Sequence, residues 1–138
     1  MTCSKLTSSI FVLALSAGLA HEQAGPHFGV LEFGLDDTLF VAASPAGTIS
    51  AYDLPNEGTP PAEDMAFNLL DVDFLVADAV GAEGRIVYND LTVHPVTRAA
   101  YISLSATING QLSSAVVSVT QDGSVAVVDL AELPSTSF

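Results

Sequence analysis

The chain has one cysteine, Cys3, and three basic residues among 138. A lone cysteine closes no disulfide within the chain, and it lies in a stretch read below as a removable leader. The fold must therefore be held by packing alone, even though an exported compartment would permit disulfides. Several motifs are missing: no Gly-x-Ser-x-Gly elbow, His-Glu-x-x-His, paired Cys-x-x-Cys or phosphate-cradling glycine loop occurs. Serines are common, but none has a His and an Asp at recognisable spacing. Basic charge is the scarcest feature, with 3 Lys and Arg against 16 Asp and Glu and a net charge of −13. Such a field repels phosphate backbones and anionic lipid, which excludes nucleic acid and membrane surfaces as expected partners. It allows cationic partners and divalent cations. The acids are scattered, so solubility in a salty exterior explains them. Charged residues make up only 14% and apolar ones 49%, which argues for a packed core rather than disorder.

Residues 1–20, "MTCSKLTSSIFVLALSAGLA", carry Lys5, then an apolar run from Ile10 to Leu15, then Gly18 and Ala20. The run falls short of the roughly 20 apolar residues a membrane span needs. The pattern is that of a signal peptide cleaved after Ala20, which predicts a secreted or periplasmic protein with no membrane attachment after cleavage. The remainder suits one modest domain, with Arg85 and Arg98 as its fixed cations.

Residues 21–30 read as a flexible lead-in. Leu31 and Phe33 alternate with Glu32, Asp36-Asp37 marks a turn, and "TLFVAAS", "SPAG" and "TISAYDL" give strand, turn and strand. A polar, proline-rich excursion occupies 55–64, and "MAFNLLDV" is expected to supply a fourth strand. A short helix is expected near 73–80, capped by Asp71 or Asp73 and stopped by Gly81, with Phe74, Leu75, Ala77 and Val80 on one face. From Arg85 the strand pattern resumes as "IVYNDLTVHP", "AAYISLS", "AVVSVT" and "SVAVVDL". "QDG" is a hairpin turn, and "ATINGQLSS" a longer loop.

The halves can be superposed. Leu31 and Phe33 match Leu91 and Val93, Phe40 matches Tyr101, and "LLDV" at 69–72 matches "VVDL" at 127–130. A second register pairs "GTISAYDL" with "GSVAVVDL". Two four-stranded units of similar length summarise both. The expected organisation is a signal peptide at 1–20, the lead-in at 21–30, a blade-like unit at 31–72, a helix and linker at 73–84, a second unit at 85–133 and a tail at 134–138. The fold class is all-β: two four-stranded antiparallel blades with one short helix between them.

"TLFVA", "TISAYDL" and "NDLTVHPVTRAAYISLS" resemble blades of exported bacterial β-propellers of the NHL-repeat and gluconolactonase-like group. The resemblance covers roughly residues 28–130 and implies an incomplete propeller, since propellers typically carry 4–8 blades and this chain supplies about two. It also implies that Asn89, in the Asn89-Asp90 pair, is a metal ligand, with calcium or another divalent cation as cofactor. The acidic first-blade ligand of that family is absent, and Glu32 sits inside a strand instead. Turn chemistry is the alternative for Asn89.

Other candidates are weaker. His21, once at the amino terminus, could chelate copper with His27 or His94, or simply fray. Asp71-x-Asp73 lacks the rest of a calcium loop. His94-Pro95 reads as a hydrogen-bonded strand end, and Tyr52, Tyr88 and Tyr101 as half-buried sheet positions. The expected function is a structural or interaction module without independent catalysis. The alternatives are part of a metal-dependent lactonase or hydrolase, and a small-ligand or cation binder. Two blades alone leave open edges, which invites self-association or a partner protein.

Overall fold

A computed structural model of the chain describes residues 27–35, 37–55 and 69–138. The leader, His21, Asp36 and residues 56–68 lie outside the described residues. Strands β1 (His27–Phe33), β2 (Thr38–Ser44) and β3 (Thr48–Asp53) form a meander, followed by helix α1 (Val72–Val80). A second meander follows as β4 (Ala82–Val93), β5 (Ala100–Ile108), β6 (Gln111–Val119) and β7 (Val125–Val127). A 3₁₀ turn over Leu130–Glu132 then leads into β8 (Ser135–Ser137). The strands make two four-stranded sheets, ordered β1-β2-β3-β8 and β4-β5-β6-β7, with every pairing antiparallel. The described residues are thus mainly β, with two antiparallel sheets and one α-helix among them.

Four local expectations are corrected. The fourth strand of the first sheet is β8, from the expected tail, and Leu69–Asp71 form no strand. The lead-in is ordered from His27, where β1 begins, because its backbone is held by the second sheet. The "ATINGQLSS" loop is mostly strand. β5 and β6 pair as far as Ile108 and Gln111, and Asn109 and Gly110 turn with φ of 52° and 75°. Positive φ at both central residues is what a tight type I′ hairpin requires, and Asn-Gly supplies it.

The helix lies where expected, but its inner face is Val72, Val76 and Val80, spaced four apart on one stripe. Phe74 points outward and is 72% exposed. Asp71 takes the N-cap position in the left-handed region without a side-chain cap bond, and Gly81 ends the helix at φ 68°.

The second sheet is the middle layer, because β5 and β6 bury both faces. Ala100, Ile102, Leu104 and Ala106 of β5, with Val117 and Val119 of β6, pack under Val76 of α1. On the other face Tyr101 and Val116 meet Leu31, Leu39 and Val41 of the first sheet. Period-two alternation accounts for this division.

β8 covers the outer edge of β3 through Ser50–Ser137, Ala51–Thr136 and Tyr52–Ser135 pairing. Phe138 N–H to Ile49 O at 2.9 Å and Asp53 N–H to Pro134 O at 3.0 Å extend the seam. A chain ending at Leu133 exposes the β3 edge. It is expected to melt at lower temperature and to associate as concentration rises, as followed by circular dichroism and light scattering.

Candidate functional site

The polar residues of the second sheet converge on β1, and a bulge in β4 explains how. Pairing steps from Tyr88–Leu104 to Asp90–Ser103, leaving Asn89 as the extra residue. A bulge of this kind re-aims neighbouring side chains. Both Asn89 and Asp90 therefore reach β1. Asn89 Nδ2 donates to Phe28 O and Ser105 Oγ, each at 3.0 Å. Asp90 Oδ2 accepts from Leu31 N–H and Oδ1 from Leu91 N–H, each at 2.9 Å.

β1 is bulged as well, between Phe28 and Leu31. The backbone groups that do not serve β2 are taken up by serines of the second sheet. Ser103 Oγ donates to Gly29 O at 2.6 Å. Phe28 N–H donates to Ser114 Oγ at 2.9 Å, and that hydroxyl in turn donates a hydrogen bond to Leu104 O at 2.9 Å. His27 Nε2 lies 3.2 Å from Ser105 Oγ. A strand of one sheet is thus bonded, backbone to side chain, by β4, β5 and β6 of the other.

The groups of this cluster are largely engaged with one another. Both oxygens of Asp90 already accept backbone protons, and the Asn89 amide nitrogen faces two oxygens as a donor. Among the described residues no three His, Cys, Asp or Glu gather as a metal group. Ser105 and His27 stand at the distance a base-activated hydroxyl needs. Ser105 is buried, however, and its hydroxyl already accepts from Asn89. Sequence reading missed Ser103, Ser105 and Ser114. Their signal was present: serines at alternate positions among apolar residues, which a buried strand keeps only when their hydroxyls have partners.

His94 is buried at the end of β4 and organises a turn. Its Nδ1 accepts from Val96 N–H at 3.1 Å and Thr97 N–H at 3.2 Å, so the ring proton lies on Nε2, 3.5 Å from Asp37 Oδ1. His94 backbone groups close the turn onto Ala99 O and Arg98 N–H. The Phe33 ring stands edge-on to His94 and to Tyr101, with centroids 4.9 and 5.1 Å apart. Burial pushes the Tyr101 phenol upward. His94 is the strand-end residue the sequence suggested. Asp122 is likewise turn chemistry: its carboxylate accepts from the Thr120 hydroxyl and, at 3.0 Å, from Ser124 N–H, which holds it below the usual range.

Tyr52 and Tyr101 are half-buried, but Tyr88 is exposed at the helix side of β4. Its hydroxyl donates to Asp73 Oδ1 of α1 at 2.6 Å. Val72, Asp73, Tyr88, Leu91 and Ile102, with the Asn89-Asp90 pair, line a groove of about 480 Å³. A second groove of about 340 Å³ begins at the same Leu91 and continues past Val93 and Ala100 to Arg98 and Gln121.

Comparison of the chain with family models, curated proteins and solved structures returned no match.

Two outcomes follow from this geometry. Removing an acceptor or donor from the cluster strands a partner on β1, so Asn89→Ala and Asp90→Ala should each cost about 1–3 kcal/mol in urea unfolding. The double variant should cost less than the sum, because both hold one strand. The Tyr88 phenol is raised to about 12 by its partial burial, the Asp73 hydrogen bond and the Asp73 charge. The folded value exceeds the ordinary 10.0, so the neutral phenol's contribution is whole below that pH and is lost as pH rises toward about 12. Tyrosinate absorbance should show this late phenol, and Asp73→Asn should bring it back toward the ordinary value.

Proposed function

We propose that the chain is an exported, propeller-like module with a structural or interaction role and no catalysis of its own. The observation that carries this reading is the commitment of Asn89 and Asp90. Asn89, which the resemblance would place on a cation, here holds β1 against the second sheet together with Asp90. Two sequential four-stranded antiparallel sheets suit the blade-like part of the reading, and so does the return of the last strand to complete the first sheet. A propeller closed between its ends uses the same device.

The open edges anticipated from two blades are largely managed within the chain. β8 covers β3, side chains of the second sheet satisfy β1, and β4 is irregular at two places along its length. Bulges and coverage discourage edge-to-edge pairing. The module is accordingly a monomer that presents surface, rather than an assembly waiting for missing strands. Export fits the leader at 1–20 and the acidic, thiol-poor composition.

The test is a cooperative melt with light scattering on the exported protein, whose amino terminus should be His21. A monomer whose melting temperature is the same with calcium, with other divalent cations and with chelator agrees with the reading. A cation-dependent rise in melting temperature that disappears in Asn89→Ala overturns it in favour of a metal-dependent propeller.

A further inference from the structure

The face of the second sheet that carries α1 is only partly covered. Leu91 and Val93 pair with Ile102 and Ala100, so all four share that face. Ile102 and Ala100 are buried, whereas Leu91 is 56% and Val93 49% exposed. The helix covers the middle of the sheet and leaves an apolar strip running from Val72 and Tyr88 past Leu91 to the turn after β4. Two features at the far end of this strip are unexpected. Arg98, one of two arginines in a chain of net charge −13, lines the groove there, with no ion pair to a described residue. Beside it Gln121 holds a side-chain oxygen that is buried without a hydrogen-bond partner.

The backbone of Arg98 is held, and its exposed side chain is free to reach the groove. The residue sits at φ 59°, its N–H bonded to His94 O, inside the turn that the His94 ring closes. The guanidinium is a planar fork of donors suited to a carboxylate. A terminal amide donates only through its nitrogen, so Gln121 can serve the same group as a second donor through Nε2. The strongly acidic chain disfavours a dianion such as a phosphate monoester over a monoanion. The apolar strip takes an apolar body, and the combined grooves lie in the size range of small-ligand sites.

We propose that this groove is a binding site for a medium-chain aliphatic carboxylate, its chain along Leu91, Val93, Ala100 and Ile102 and its carboxylate on Arg98 and Gln121. This deepens the reading of a binding module, and it rests on the non-catalytic part of that reading alone. The alternatives for such a strip are a second copy of the chain or an apolar ligand without a head group. The first meets the repulsion of two strongly acidic chains, and the second leaves Arg98 and Gln121 unused.

The experiment is calorimetric titration of the purified protein with decanoate below its micelle concentration, beside decan-1-ol and the variants Arg98→Gln and Gln121→Leu. Saturable binding of decanoate is expected, weakened about 10- to 100-fold in Arg98→Gln, as loss of a charge-assisted contact implies. Decan-1-ol should be weaker by a similar factor. Gln121→Leu should weaken decanoate while leaving thermal stability unchanged or raised, because it removes an unpartnered buried oxygen. A residue with only a structural role would lower stability instead. Melting curves confirm that each variant is folded. Absence of saturable binding, or equal binding of decanoate, decan-1-ol and Arg98→Gln, overturns the proposal, as does light scattering in which decanoate merely dissociates a dimer. None of these results alters the metal test of the module itself, so the two readings fail separately.

Discussion

The backbone of β1 is satisfied on one side by β2 and on the other by side chains, and the rest of the molecule depends on that arrangement. Phe28 N–H, Phe28 O, Gly29 O and Leu31 N–H end on Ser114, Asn89, Ser103 and Asp90 of the second sheet. Each bond contributes only about 0.5–1.5 kcal/mol net, but a buried backbone group left unmet costs about 1–3 kcal/mol. The asymmetry sets the geometry. Leu31, Leu39 and Val41 could pack against many apolar faces, whereas four backbone groups find partners in one orientation of the two sheets. Hydrophobic burial supplies the attraction between the sheets, and the polar cluster selects the way they meet.

Much of this plan is readable in the residues, and the unreadable part has a physical reason. The period-two runs of β1 through β7, the turn at Gln121-Asp122-Gly123 and the helix stopped by Gly81 are local signals, and each element lies near its expected place. The match of Leu31 and Phe33 with Leu91 and Val93 is also meaningful, since both pairs sit on the first strand of a sheet. What local pattern could not show was long-range pairing. "STS" at 135–137 has no apolar alternation, and becomes a strand only because β3 offers it an edge. Asn89 and Asp90 carried a signal of importance without its meaning: adjacent polar residues in an apolar strand indicate that a bulge will turn both one way, not what they will meet. The strip at Leu91 and Val93 was likewise hidden, because alternation tells which face a residue takes and not how far a helix covers that face.

The second sheet has two unlike faces. Toward the first sheet its serines are buried and occupied with backbone, which makes that face rigid and specific. Toward α1 its apolar residues are divided between a covered centre and an uncovered margin. Hence the serines and backbone groups of the first face are committed to each other, while the margin beside α1 leaves Leu91 and Val93 open.

Completion of the first sheet by β8 also fixes an order of events. A growing chain makes β1, β2 and β3 early, yet their outer edge stays unpaired until residues 135–137 emerge. The sheets can interlock only after β5 and β6 have been made, because Ser103 and Ser114 must both be in place to receive β1. Contacts so distant along the chain make for slow, late folding. The chain therefore stays open during synthesis, and the first sheet is complete only once residues 135–137 have been made.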